Sequence, residues 1–180
     1  PKAGLDPYLS QIRLLQIYDG ETVYVFDMFD IEITDNLRKL FYLKQFVAHN
    51  AIFEMKFFKH FGVSEKPIGC SRLLAILVDR AERSPFEKEE LYEDDDEPDG
   101  MSQYRTGYDL ASVTGRLYGV KTDKYYQTAN WNLHDLPTEQ VLYAALDAVL
   151  TYDIAKTLVP KLNTYKMAKI YQLLKNVQPA

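Results

Sequence analysis

Two apolar-rich segments near the start of the chain, residues 11–17 and 22–27, flank the dipeptide Asp19-Gly20. Asp-Gly between two such segments favours a tight turn, so the pattern predicts a β-hairpin. A shorter apolar run at residues 46–48 predicts a further strand. The first third of the chain therefore contributes the strands of the predicted fold.

Helical patterns dominate the rest of the sequence. Thr34 or Asp35 can cap a helix that runs through Phe41. Apolar residues repeat every four positions between 53 and 61, which predicts a helix that Gly62 ends. Strands first, strand–helix units next and a helical second half indicate an α/β or α+β fold with a mixed sheet. Further helices are predicted over residues 73–80, 108–118, 137–158 and 165–175.

The length and composition are those of one folded domain. The 180 residues, of which 47% are hydrophobic and 26% charged, predict a single domain over residues 1–180. No apolar run approaches the ~20 residues that cross a bilayer, so we expect no membrane span. The single cysteine, Cys70, indicates a reducing, cytoplasmic compartment. Because Pro1 opens the chain without a leader, we expect it to begin inside a longer natural sequence.

The net charge of −5 is concentrated in one window, residues 86–100, which holds nine acidic residues and one basic residue. Taking these out of the 26 acids and 21 bases leaves a body with a net charge of +3. Like charges repel and are hard to pack, so we expect residues 86–100 to form an acidic, mobile surface insertion. A nucleic-acid mimic or an autoinhibitory flap is the alternative, and only the sign of the charge supports it.

The first candidate chemistry is a phenol and a carboxylate on the longest predicted helix. Tyr143 and Asp147 are four residues apart, so they share one face at a separation of ~6 Å along the axis. Both side chains can address one ligand. A partly buried tyrosine beside a solvent-facing aspartate is the alternative interpretation.

A second polar pair has the same spacing at a predicted junction between a strand and a helix. Asn50 ends the strand and Glu54 lies one turn into the helix. A carboxylate at such a junction is well placed to hold a hard cation, while Asn50 can cap the helix or fix a neighbouring side chain. An asparagine cap with a surface glutamate is the alternative.

A third segment, residues 121–131, combines two lysines, two tyrosines and the only tryptophan, Trp131, without helical periodicity. Aromatic rings stack on bases and lysines contact phosphates, so this composition suits a groove for single-stranded nucleic acid. A loop that Trp131 pins to the core is the alternative. Both interpretations can hold together.

These segments resemble the DEDD superfamily of 3′–5′ exonucleases, specifically the tyrosine-bearing branch that includes the proofreading domain of bacterial DNA polymerase I and ribonuclease D. The family's Tyr-x-x-x-Asp motif matches Tyr143 to Asp147, and its Asn-x-x-x-Asp motif resembles Asn50 to Glu54, with Glu in place of Asp. Residues 107–110, 118–120 and 124–131 are similar to the segments between these motifs, and residues 4–16 are similar to those that follow the family's first motif.

The resemblance implies an α/β fold with a ribonuclease H-like mixed β-sheet flanked by helices. It implies metal-dependent 3′–5′ hydrolysis of single-stranded DNA, or alternatively RNA, with two divalent cations, Mg²⁺ or Mn²⁺. Glu54 and Asp147 would be the metal ligands and Tyr143 would orient the attacking water. The implied partners are the 3′ end of a single strand and a polymerase domain in the same or another chain. The residues implied to bind substrate or support the site are Leu5, Asn50, Lys124, Gln127 and Trp131.

The family's first motif, Asp-x-Glu, should precede Gly4, yet residues 1–3 contain no acid. We expect its strand to lie upstream of Pro1. If instead the motif is degenerate, the chain is a module that binds nucleic acid or a protein partner without cleaving it. Asp-x-Glu upstream would support catalysis, and its absence would support the binding module.

Overall fold

The computed structural model describes residues 5–83, 107–121 and 125–177. The acidic window, residues 86–100, lies outside the described residues. The described strands are β1 (Leu14–Tyr18), β2 (Val23–Asp27), β3 (Val47–Ala48) and β4 (Gly69–Cys70). The described helices are α1 (Asp35–Leu43), α2 (Ile52–His60), α3 (Ser71–Glu82), α4 (Leu110–Tyr118), α5 (Thr138–Thr164) and α6 (Ala168–Asn176), with a short 3-10 helix at Tyr125–Thr128.

The predicted hairpin is present. Strands β1 and β2 pair antiparallel, with a register that runs from Leu14 opposite Asp27 to Tyr18 opposite Val23. The connection is a four-residue loop in which the Asp19 carboxylate accepts hydrogen bonds from the two following amides at 2.9 and 2.8 Å. Gly20 adopts a φ of +105°, which few other residues tolerate.

The remaining strands form a short parallel pair, in which β3 lies beside β4. The sequence pattern missed β4 because two residues are too few to show a period. Mixed strand directions and flanking helices confirm the predicted α/β class. Within the described residues the four strands form two separate pairs, so a further strand carrying the first acidic motif stays a prediction.

The helices begin and end largely as their capping residues dictate. Thr34, and not Asp35, caps α1, because its hydroxyl accepts the amide hydrogen of Leu37. The predicted end of α5 at residue 158 is wrong, since the helix continues through Pro160 to Thr164. Proline removes one backbone hydrogen bond, but Leu158 and Leu162 on either side of it are both buried and hold the helix to the core. Helix α6 also begins later than predicted.

Helix α5 is the central element of the fold. It packs against α3 and α4 through a cluster that includes Leu74, Val113 and Ile154, and it contacts β1, β2 and β3. A second cluster, which includes Leu15, Phe58 and other apolar side chains, joins both strand pairs to α1 and α2. The strands are therefore held between α5 and the pair α1 and α2. Among the described residues, no helix has the length and apolarity that a membrane span requires.

Candidate active site

Tyr143 and Asp147 lie one turn apart on α5, as the sequence predicts. Ala144 between them is buried, so this stretch of the helix faces the interior of the protein. Burial raises the pKa of the Asp147 carboxyl to about 6, because a charged carboxylate loses hydration there. Asp147 is therefore an inward-facing acid, and not the solvent-facing side chain of the alternative interpretation.

Glu54 occupies the first turn of α2 and is also withdrawn from water. Its Oε2 atom is buried and has no hydrogen-bond partner. Burial raises the pKa of Glu54 to about 7, and the hydrogen bond from its own backbone amide offsets only part of this effect. A buried carboxylate oxygen without a partner costs free energy, which a cation would return.

Asn50 forms the turn between β3 and α2. Its φ is +67°, in the left-handed region that asparagine tolerates better than most residues. Its side-chain oxygen accepts a hydrogen bond from the Arg72 guanidinium at 3.2 Å. The expected helix cap is wrong, because α2 is preceded by Ala51 and has no side-chain cap. Asn50 instead fixes a neighbouring side chain, which is the other expected role.

His49 fixes the same turn from the protein interior. Its Nε2 lies 2.9 Å from the carbonyl oxygen of Tyr108, and its Nδ1 lies 2.9 Å from the hydroxyl of Ser71. A carbonyl can only accept, so Nε2 carries the hydrogen and Ser71 donates to Nδ1. Burial lowers the pKa of His49 and favours this neutral form. The turn that leads to Glu54 is thus bonded to α3 and to the segment before α4.

The elements that carry the two carboxylates are neighbours. Helix α5 packs against β3, and α2 begins four residues after β3 ends. Carboxylate oxygens are the hard donors that Mg²⁺ prefers. The unpartnered oxygen of Glu54 and the desolvated acid of Asp147 therefore fit a divalent cation. Among the described residues, no group of three or more metal-binding side chains comes together, so this pair would leave other ligand positions to water or substrate.

The aromatic segment lies beside the phenol of the site. The indole Nε1 of Trp131 donates to the carbonyl of Tyr126 at 3.1 Å, and the ring of Tyr126 lies 5.8 Å from the ring of Tyr143. Gln127 is exposed on the 3-10 helix next to Tyr126. This segment is thus pinned by Trp131 and also placed next to Tyr143.

The comparison with known families decides the relationship. A family model described as 3′–5′ exonuclease matches residues 2–163. The chain belongs to the 3′–5′ exonuclease domain family. This confirms the resemblance inferred from the two motifs.

Individual relatives of the exonuclease domain agree with this assignment. DNA polymerase I of Aquifex aeolicus is 26% identical over 166 residues, which are 92% of this chain and 25% of the polymerase. The chain thus spans about a quarter of the length of that relative. Exonuclease mut-7 of Caenorhabditis elegans is 38% identical over 52 residues, which are 29% of this chain and 6% of that protein.

Solved structures show the same fold. NrnC of Brucella melitensis aligns with a TM-score of 0.74 and 20% identity over 98% of this chain and 77% of NrnC. RNase D of Escherichia coli aligns with a TM-score of 0.64 and 20% identity over 94% of this chain and 41% of RNase D. One structure of the Brucella NrnC is described with bound Mg²⁺.

Two of the expected substrate residues are not brought to the site of the exonuclease domain. The side chain of Leu5 is 84% exposed. Nearby, Tyr8 packs edge-on against His60 at the end of α2 opposite Glu54. A contact between Leu5 and a terminal base stays a prediction. Lys124 lies outside the described residues.

The sequence reasoning missed Arg13, which is 6% exposed. Its guanidinium pairs with Asp27 and donates to three backbone carbonyls of residues 131–134. A signal was present, because the two-residue period of a strand puts Arg13 on the same face as Leu15, and Leu15 is a core residue.

Proposed function

We propose that this exonuclease domain removes nucleotides from the 3′ end of single-stranded DNA by metal-dependent hydrolysis. The observation that carries the proposal is the buried, unpartnered carboxylate oxygen of Glu54, on an element next to the helix of Asp147. Neither acid has a basic partner that would explain its burial among the causes of its raised pKa. A cation between them would explain why two acids are kept out of water.

The residues divide the reaction between binding and positioning. Glu54 and Asp147 would hold two divalent cations, Mg²⁺ or Mn²⁺. When bound, such cations lower the pKa of a water molecule and stabilise the charge of an in-line displacement. Tyr143 would orient that water through its phenol, since its position one turn from Asp147 allows both to face one reacting centre. The turn at Asn50 would keep Glu54 in place.

The substrate would lie along the aromatic segment. Gln127 is exposed there and Trp131 offers an aromatic face, which are groups that contact bases with little sequence preference. The relative in Aquifex is a DNA polymerase, which favours DNA, whereas the RNase D neighbour is described as an exoribonuclease. A polymerase region in the same or another chain belongs to the proposal as a partner.

A second function is favoured by one observation. The described residues supply two carboxylates and no cluster of three metal ligands. A degenerate domain of this kind would bind a single strand or a protein partner without cleaving it. Binding without cleavage, at any Mg²⁺ or Mn²⁺ concentration, would identify that function.

The test is a cleavage assay with 5′-labelled DNA and RNA oligonucleotides of one sequence, in Mg²⁺, in Mn²⁺ and in EDTA. We expect stepwise shortening from the 3′ end with metal and none in EDTA. Asp147→Asn should reduce the rate by at least ~10³-fold, because it removes a ligand charge. Asp153→Asn is the matched control, since it makes the same change on another face of α5. Equal rates for Asp147→Asn and wild type would overturn the proposal.

A further inference from the structure

Arg13 stands out as a buried cation bonded to a distant loop. Its guanidinium donates from Nε to the carbonyl of Trp131 at 3.1 Å, and from one terminal nitrogen to the carbonyls of Leu133 and His134, each at 3.0 Å. The other terminal nitrogen pairs with the Asp27 carboxylate. Four acceptors therefore surround one side chain that is only 6% exposed.

The geometry suits arginine and no other residue. A guanidinium offers five hydrogens in one plane, so it can address several carbonyls and a carboxylate together. The ring of Phe29 lies 4.3 Å from the guanidinium carbon and covers one face of that plane. Lysine could pair with Asp27, but its single nitrogen cannot span the carbonyls of residues 131, 133 and 134.

The loop that Arg13 holds leads directly to the candidate active site. Trp131 bonds to the carbonyl of Tyr126, and Tyr126 contacts Tyr143 through its ring. The second described anchor of this loop is weaker, because Gln140 donates to the carbonyl of Asn130 at 3.4 Å. Arg13 thus joins the β-hairpin to the segment that carries Gln127 and Trp131.

We propose that Arg13 is a positioning residue that holds the loop of residues 131–134, and with it the nucleic-acid-binding segment, against the β-hairpin. The inference rests on the proposed function, since it assigns Arg13 a part in binding the single strand. Arg13 contacts no substrate. It acts through the three carbonyls and through the Trp131 contact with Tyr126.

Trp131 reports on this loop without any need for activity. It is the only tryptophan of the chain, so its emission maximum and its quenching by acrylamide measure the docking of the loop. The informative variant is Arg13→Lys, which retains the pairing with Asp27 and loses the fork. The matched control is Arg38→Lys, because Arg38 also pairs with an aspartate and donates to a backbone carbonyl, that of Gly62.

We expect Arg13→Lys to increase the quenching constant of Trp131 about twofold, measured at a temperature where circular dichroism shows a folded protein. The KM for a single-stranded oligonucleotide should rise about tenfold with kcat changed less than about threefold, as for a lost binding contribution. Arg38→Lys should change neither quantity. A role in stability alone would lower the melting temperature and leave the quenching of the folded protein unchanged.

Three results would overturn the inference. They are unchanged Trp131 quenching in Arg13→Lys, equal effects in Arg38→Lys, and an Arg13→Lys variant that does not fold at any temperature, since Arg13 would then determine the whole fold. Failure of the proposed function is distinguishable, because a wild-type protein without nuclease activity still gives the tryptophan measurement. Altered quenching with an unaltered KM would remove the part of the inference that concerns substrate.

Discussion

Arg13 and Glu54 are both charged side chains in the interior, and their surroundings differ. Arg13 directs its donors at three carbonyls and one carboxylate, whereas one oxygen of Glu54 has no partner. A buried charge is tolerated when it is paired and hydrogen-bonded, and is costly otherwise. The comparison separates a residue that secures the fold from one that is kept at a cost for a ligand.

Removing Arg13 should give the largest effect on stability. Arg13→Met retains much of the apolar stem but leaves Asp27 and three carbonyls without their donor. We expect a loss of about 3–5 kcal/mol in the free energy of unfolding, the range for breaking a buried pair by removing one partner. Urea unfolding followed by circular dichroism measures it. A loss below about 1 kcal/mol would remove the contrast with Glu54.

Tyr143 should matter for the reaction more than for the fold. Tyr143→Phe removes a hydroxyl that can orient water and leaves the ring contact with Tyr126 in place. We expect a decrease in kcat of about 10²-fold, equivalent to about 2.7 kcal/mol. Single-turnover rates beside those of Asp147→Asn test this order. A phenylalanine variant as inactive as Asp147→Asn would give the tyrosine a different role.

Glu54 should show the opposite sign to Arg13 in metal-free buffer. Its pKa is raised to about 7 in the folded protein from an ordinary value of 4.5. A raised carboxyl pKa means that the folded state is favoured at low pH and loses stability as the pH rises through about 7. Glu54→Gln removes this loss, so we expect it to exceed wild-type stability by about 2–3 kcal/mol at pH 8 in EDTA.

The advantage of Glu54→Gln should shrink toward pH 4.5, where the wild-type carboxyl is protonated in both states. Thermal melts at several pH values in EDTA follow it, and Mn²⁺ should reduce the difference by stabilising the wild type. Glu65→Gln serves as the control because Glu65 is exposed. A glutamine variant less stable than wild type at pH 8 would show that the Glu54 charge has a partner.

The sequence predicted the elements that have a clear local signal. The Asp19-Gly20 turn, the cap at Thr34 and the end of α4 at Gly119 each follow from one or two residues with strong backbone preferences. The spacing of Tyr143 and Asp147 was predictable for the same reason, since four residues make about one helical turn.

The rest depends on contacts between distant parts of the chain. Strand β4 has only two residues and is defined by its pairing with β3. Helix α5 passes Pro160 because the leucines on both sides are buried against other helices. The partners of Arg13 are backbone carbonyls, which carry no sequence signal. The contact of Asn50 with Arg72 likewise joins residues 22 positions apart.

The distance in sequence between Arg13 and its loop has a consequence for synthesis of the chain on the ribosome. Arg13 emerges early, but the carbonyl of Trp131 follows 118 residues later. The hairpin also contacts α5, which comes later still. During that interval the hairpin has no lasting cover for its apolar face, and two-stranded hairpins are only marginally stable alone. Folding of this half must therefore wait for the C-terminal half, and long-range closure of this kind slows folding.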